Sequence, residues 1–319
     1  MNKKIRMTLR PPIKTNYAYE KLRCCKNCQS YTALTEDNCT ICRKPKPGLR
    51  PVEELASRAA KRSLINDLLL SLLLTLIAIL FSPTFQHMAI SALCGIVLIA
   101  VLYAAQRKAH TSRTSIELGK MFVRDRERIA QGLVRNLEIA AAQDNEARSY
   151  ELMREIAVLI RSDHIRKLQI FLLQSIMLRK DMELELEPLL LESFDPELAA
   201  YIGELTKIKR ELIKDRTFKY VIKHEQQIRA MKDGEDILVG VAGAAVRMKR
   251  YVLAYASFIA RYARKLPKDR FLRLYRIVME NPDSNWGALQ AETSRIYEEK
   301  YQWDADFQQL KPRSTIHDV

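Results

Sequence analysis

Between Ser63 and Gln106 the chain has no Lys and no Arg, and Asp67 is its only charge there. All six cysteines lie within the first 94 residues. The remaining chain therefore holds no thiol nucleophile and cannot form a disulfide of its own. The five histidines (His87, His110, His164, His224, His317) are widely spaced, and none sits in an H-E-x-x-H pattern. Gly240-Val241-Ala242-Gly243 lacks the Gly-Lys-Ser/Thr ending of a phosphate loop, and no strand-prone run precedes it. Asp233-Gly234-Glu235-Asp236 reads as a turn and helix cap rather than an acidic metal loop. The break near residues 281–284 is too loose for a helix-turn-helix. These gaps remove the common catalytic constellations, and the chain is expected not to be an enzyme.

Charge is strongly partitioned. Residues 1–62 carry a net charge of +10, residues 63–105 of −1 and residues 106–319 of +6. A basic excess beside an apolar segment points to anionic lipid headgroups or nucleic acid, and lipid is favoured because the apolar segment comes immediately after it.

Residues 64–81 and 88–105 are two apolar runs of 18 residues, broken only by Asn66 and Asp67 near the start of the first. Each spans about 27 Å as a helix, close to the ~30 Å hydrocarbon core of a bilayer. Residues 82–87, with Pro83, suit the turn between them. A pair of buried core helices is the alternative, but adjacent apolar runs of this length fit a transmembrane hairpin better. A cleaved signal peptide is disfavoured by the 63 residues before the first run. Arg58, Lys61 and Arg62 precede the first span, Arg107, Lys108 and Arg113 come after the second, and the loop carries no basic charge. The positive-inside rule then places both termini in the cytoplasm of a two-pass plasma-membrane protein, with a bacterial membrane suiting the short outer loop. Asp67 lies about one turn inside the span and is expected to reach the headgroup region. Cys94 and Gly95 are expected to be packing residues.

Near the N-terminus the chain reads Cys24-Cys25-Lys26-Asn27-Cys28, then ten residues, then Cys39-Thr40-Ile41-Cys42. Cys25, Cys28, Cys39 and Cys42 form two C-x2-C turns, each able to aim two sulfurs at one ion, and together they complete a tetrahedral Zn²⁺ shell. Cys24 could replace Cys25 through a C-x3-C turn, or stay free. Disulfides are disfavoured by the cytosolic placement, and an iron–sulfur centre is the lesser alternative. Residues 30–35 are strand-prone and 36–38 turn-prone. Over residues 22–46 this pattern resembles the zinc-ribbon family, departing from it at Gln29 and Arg43, where a glycine is frequent, and in its compact spacing. The resemblance implies a closed, structural Zn²⁺ site that supplies most of the folding energy of so small a module, about 10–16 kcal/mol in isolated fingers. Arg23, Lys26, Arg43, Lys44 and Lys46 surround the cysteines as a basic contact surface, with Tyr31 the nearest aromatic stacking candidate. Residues 44–48 (Lys-Pro-Lys-Pro-Gly) read as a stiff linker.

The chain is therefore expected to be mainly α. A basic zinc-ribbon module (1–48) leads through a linker and helical lead-in (49–63) into the hairpin (64–105). A helical stalk (106–143), an all-α cytosolic bundle or helical array (144–310) and a tail (311–319) complete it. The absence of proline between Pro83 and Pro188 lets the second span continue to about residue 143, projecting about 57 Å beyond the apolar run. Ile116, Val123, Ala130 and Leu137, with Leu133 and Ala140, mark its expected seam. Further helices are expected from an Asp144-Asn145 cap to about residue 160, over 165–182 with residues 170–173 buried, from the Asp195-Pro196 start to about 213, over 217–231, over 236–265 and over 268–280, with Ser284 capping the last. Tyr251, Tyr255, Phe258 and Tyr262 share one face, read as core.

The function expected is a membrane-anchored cytosolic scaffold or adaptor, with a structural zinc site, that binds protein partners and membrane lipid. A membrane-tethered nucleic-acid-binding protein is the second reading. A channel or transporter accessory, acting as a homo-oligomer, is the third.

Overall fold

The computed structural model describes residues 4, 6–34, 38–43, 48–82 and 84–308. Residues 35–37, the linker cations Lys44 and Lys46, Pro83 and the tail 311–319 lie outside the described residues. The chain divides into two units: residues 13–143 with 152–160, and residues 1–12 with 144–151 and 161–319.

The first unit begins with a 3-10 turn, Ala18–Lys21, and a small antiparallel sheet. Its strands are β1 (Arg23–Cys25), β2 (Tyr31–Thr32) and β3 (Leu49–Pro51), with β1 in the centre. Cys24 lies opposite Tyr31 on one side and Arg50 on the other. Pro51 ends β3 and starts α1 (Val52–Leu80), where a missing N–H costs nothing. Glu53 and Glu54 in the first turn complement the helix dipole.

Helix α1 runs unbroken from the basic lead-in through the first apolar run, and α2 (Phe85–Lys108) contains the second. Thr84 caps α2 by accepting from the His87 amide. Both helices are long and apolar enough to cross a membrane. They pack against each other where the side chains are small. Ser71 and Gly95 are buried, and a Cβ on Gly95 would lie 2.1 Å from the Thr75 methyl. The hydroxyls of Ser71 and Thr75 bond back to the carbonyls of Leu68 and Ser71, so neither meets an apolar surround without a partner. Leu69, Leu70, Leu73, Ile90 and Leu93 point outward. Gly95 is the packing residue expected, whereas Cys94 is exposed on the outer surface.

Beyond α2 the helix is interrupted at Ala109 and at Asp125, giving α3 (His110–Arg124) and α4 (Arg126–Ala141). Helix α3 lies against α1, and α4 against β2. A free, continuous stalk is therefore not what forms. Leu118 and Met121 from α3 and Leu133 from α4 join Leu22, Cys24, Tyr31, Ala33, Val52 and Ala56 in one core. The seven-residue seam fails in α3 for the same reason. The face toward α1 carries Leu118 and Met121, which leaves Ile116 exposed and Val123 80% exposed.

The second unit is helical. Its elements are the first turns of α5 (Glu146–Ala157), then α6 (Asp163–Ser175), α7 (Pro196–Ile208), α8 (Asp215–Lys223), α9 (Glu225–Arg229), α10 (Gly234–Ala245), α11 (Lys249–Ala254), α12 (Ala256–Tyr262), α13 (Lys268–Met279), α14 (Ala288–Ile296) and α15 (Ala305–Gln308). Asn145 Oδ1 caps α5 by accepting from Ala147 N, at 3.0 Å. Asp195 caps α7 by accepting from Leu198 N at 3.0 Å, with Pro196 in the first position. The core runs from Tyr150 through Leu198, Ile202, Phe218, Leu238 and Val252 to Phe271 and Phe307.

Three local expectations change here. The 236–265 helix is split, because Met248 and Tyr255 leave helical geometry. Those kinks seat Tyr251 and Tyr255 against Phe218, with ring centroids 5.0 and 4.8 Å away. Only Ile170 and Leu173 of the 170–173 run are fully buried, and Phe171 is 65% exposed, since a helix with one buried face cannot bury four consecutive residues. The last turn-and-helix is organised by Trp286, buried and donating to Asn281 O at 2.8 Å, and α14 starts after Gly287 rather than at Ser284. Lys4 and residues 6–12 also pack on this unit rather than on the sheet. Arg10 N donates to Glu151 Oε1 at 2.7 Å, Lys4 pairs with Glu204, and Met7 and Leu9 touch the core.

Candidate metal centre

Successive residues of a strand point to opposite faces, so β1 sends its two cysteines apart. Cys24 enters the apolar core with Leu22 and Tyr31, while Cys25 joins Cys39 and Leu49. The ligand atoms of Cys25, Cys28, Cys39 and Cys42 all lie within 4.8 Å of one another. Cys25 Sγ is 3.6 Å from Cys42 Sγ, and Cys28 Sγ is 3.6 Å from Cys39 Sγ. A tetrahedron with metal–sulfur bonds of ~2.3 Å has edges of about 3.8 Å. The spacing therefore fits four thiolates around one ion. It is far beyond the ~2.05 Å of a disulfide, and all four cysteines are free. Burial pushes the Cys24 thiol up, which keeps it a neutral core side chain.

The two cysteine turns are built alike. Gln29 N donates to Cys25 O at 2.8 Å, and Arg43 N donates to Cys39 O at 2.9 Å. Gln29 and Arg43 have φ of 55° and 54°, and they are the only non-glycine residues with positive φ among the described residues. These are the two positions at which the resemblance calls for glycine. The turn geometry is kept, and the strain of a side chain in the left-handed region is carried at both corners.

Each turn also aims backbone amides at its first sulfur: those of Cys28 and Asn27 at Cys25, and those of Cys42 and Ile41 at Cys39. Without a cation the sulfurs differ. Burial pushes the Cys25 thiol up to about 12 despite its two amides. For Cys39 burial acts in the same sense, but the Ser30 hydroxyl and the turn amides outweigh it, drawing the thiol down to about 6. Ser30 Oγ lies 2.9 Å from Cys28 Sγ and 3.5 Å from Cys39 Sγ, so one hydroxyl supports both turns. A bound metal cation would let four such sulfurs ionise together. Cys25 and Cys39 are buried and Cys28 is the most open of the four, so a four-thiolate shell leaves no vacant position for a substrate.

The sheet is held from outside by α4 and the turn before it. Tyr31 OH donates to Asp125 Oδ2 at 2.8 Å, and Asp125 also takes Arg124, at 3.0 Å. Asn136 Oδ1 accepts from both Thr32 Oγ1 and Ala33 N, each at 2.8 Å. Gly132 brings α4 so close that a Cβ there would lie 2.2 Å from Tyr31 O. These supports, Asp125, Gly132 and Asn136, were not among the candidate residues. They lie about a hundred positions from their partners, and no local pattern marks them.

Of the basic residues, Lys26 and Arg43 are exposed and Arg23 is half-buried, while Lys44 and Lys46 fall outside the described residues. Tyr31 is 3% exposed and spends its hydroxyl on Asp125, so it is not an accessible stacking platform. Compared with protein-family models, with curated proteins and with solved structures, the chain shows no significant match to any of them.

Proposed function

We propose that this protein is a two-pass membrane scaffold whose cytosolic face is organised by a structural Zn²⁺. The observation that carries this reading is the shared core of the four-cysteine sheet, the foot of α1, and α3 and α4. A metal closing the two turns stiffens β1, and β1 shares that core with the helix that continues into the first apolar run. The ion thus acts as a staple at the membrane-proximal end of the hairpin, with no coordination position left for chemistry. Zinc is favoured over iron–sulfur by the tetrahedral single-ion spacing. The charge flanking the hairpin supports cytoplasmic termini. The helical unit that ends in α15 is the larger surface available to protein partners.

Two measurements test this. Cysteines introduced at Thr84 and at Arg216 in a variant lacking Cys94 should label from opposite sides of sealed membranes with an impermeant maleimide, Thr84 from outside. Labelling of both from one side overturns the topology. Full-length protein purified from its native membrane should hold about one zinc per chain and elute with a partner in fixed stoichiometry. Cross-links to that partner should fall within residues 163–308. Zinc-loaded protein that elutes without a stoichiometric partner would remove the scaffold reading.

A further inference from the structure

A cleft of about 510 Å³ lies along the foot of α1. It is lined by Arg50 of β3, by Arg58 and Arg62 from successive turns of α1, and by Leu55, Ala59 and Asn66. Three arginines, one from β3 and two from α1, thus line the same cleft. Arg58 is partly neutralised by Glu54. Asp67, the one carboxylate on the rim, is engaged by Arg113 at 3.1 Å. Among the described residues the guanidiniums of Arg50 and Arg62 have no hydrogen-bond or ion-pair partner. The cleft is therefore a concave site with at least two uncommitted planar cations, the geometry that takes a phosphate in two-pronged fashion.

Its position decides the source of that phosphate. Arg62 is the last cation before the apolar run, and Ile65, Leu69 and Leu73 lie exposed farther along the same helix. A molecule with its phosphate in the cleft has an apolar helix surface directly beyond it. We propose that this cleft is a binding site for the phosphate headgroup of an anionic glycerophospholipid, whose acyl chains lie along α1. This rests on the membrane reading above and sharpens it, turning a diffuse basic flank into one built site. The cleft volume falls within the range of small-ligand sites and suits a headgroup.

The test uses the full-length protein in a neutral detergent, with retained lipids counted by native mass spectrometry and binding read by thermal shift. Short-chain phosphatidylglycerol, short-chain phosphatidylcholine and free glycerol 3-phosphate are titrated in parallel. Wild type should prefer phosphatidylglycerol to phosphatidylcholine. Arg50→Gln with Arg62→Gln should weaken that binding by about fivefold for each arginine removed. Arg135→Gln, on the exposed face of α4, should leave it unchanged, and Arg50→Lys with Arg62→Lys should restore part of it. Equal affinity in wild type and the double glutamine variant overturns the site. Saturation by glycerol 3-phosphate at the same concentration overturns the lipid assignment in favour of a soluble anion. Carbonate washing of native membranes separates the two levels: extraction of the protein refutes the membrane reading itself, whereas retention without a lipid preference refutes only this site.

Discussion

The phenol of Tyr31 donates a 2.8 Å hydrogen bond to the buried carboxylate of Asp125, 94 residues away. That bond joins the strand facing the cysteine turns to the corner between α3 and α4. Asp125 lies at the break between α3 and α4, so the bond ties that break to β2.

The same carboxylate makes the fold sensitive to acid. The Arg124 guanidinium holds the Asp125 carboxyl below its ordinary range, burial opposes this, and Tyr31 and Arg128 assist. A carboxyl lowered in the folded state stabilises the fold above its unfolded value of about 3.9, and that contribution is lost as pH falls through the folded value. Thermal melts of wild type and Asp125→Asn should keep their full difference from pH 7 down to about pH 5, narrow from about pH 4 and converge only as pH falls through the lower folded value. A gap that stays unchanged well below about pH 4 would show that the carboxylate charge is irrelevant. Tyr31→Phe should cost about 1–3 kcal/mol, because it leaves a buried acceptor short of a donor.

Asn136 is fully buried and accepts twice, from Thr32 Oγ1 and Ala33 N. Asn136→Ala strands a buried backbone donor and should destabilise by about 2–3 kcal/mol, more than either partner bond alone would suggest. Denaturant melts of the full-length protein in detergent measure it. Amide exchange at Ala33 should rise in the same variant.

Gly132 and Gly119 form a matched pair. Gly132→Ala forces a methyl onto the Tyr31 carbonyl, whereas the space around Gly119 is open. The first should cost about 1–3 kcal/mol by displacing α4 from β2. The second, on an exposed helix face, should stabilise by about 0.5–1 kcal/mol. Loss of stability in both would mean that the contact between α4 and β2 is not the cause.

Zinc analysis of single serine variants separates the neighbouring cysteines. Cys25→Ser and Cys39→Ser should lose the ion or bind it far more weakly, and chelation of the wild type should destabilise the sheet region. Cys24→Ser should keep about one zinc per chain, because its side chain lies in the apolar core. Loss of zinc from Cys24→Ser, with retention in Cys25→Ser, would reverse the assignment.

Much of this was legible in local chemistry. Two C-x2-C turns need no tertiary information to define a four-sulfur set, because each turn brings its own pair of sulfurs together. The Asp195-Pro196 helix start and the apolar runs are equally local, since capping and hydropathy act within a few residues. Other features were not legible. The seam expected through Ile116 and Val123 had a seven-residue pattern, but α3 buries Leu118 and Met121 instead. Periodicity reports that a helix has a face, and only the partner selects which one. Tyr31 looked like an exposed aromatic beside cations because its acceptor, Asp125, lies far away in the chain.

The sequence by itself thus determined the sulfur set, the two membrane-capable helices and the helical character of the chain beyond them, all of them properties set by spacing and polarity within short windows. Only the tertiary structure decided that Cys24 leaves the sulfur cluster, that Arg50 meets Arg58 and Arg62 in one cleft, and that Asp125, Gly132 and Asn136 hold the sheet to the foot of the hairpin. Those relationships depend on burial and on contacts between residues far apart in the chain, and no short-range pattern encodes them.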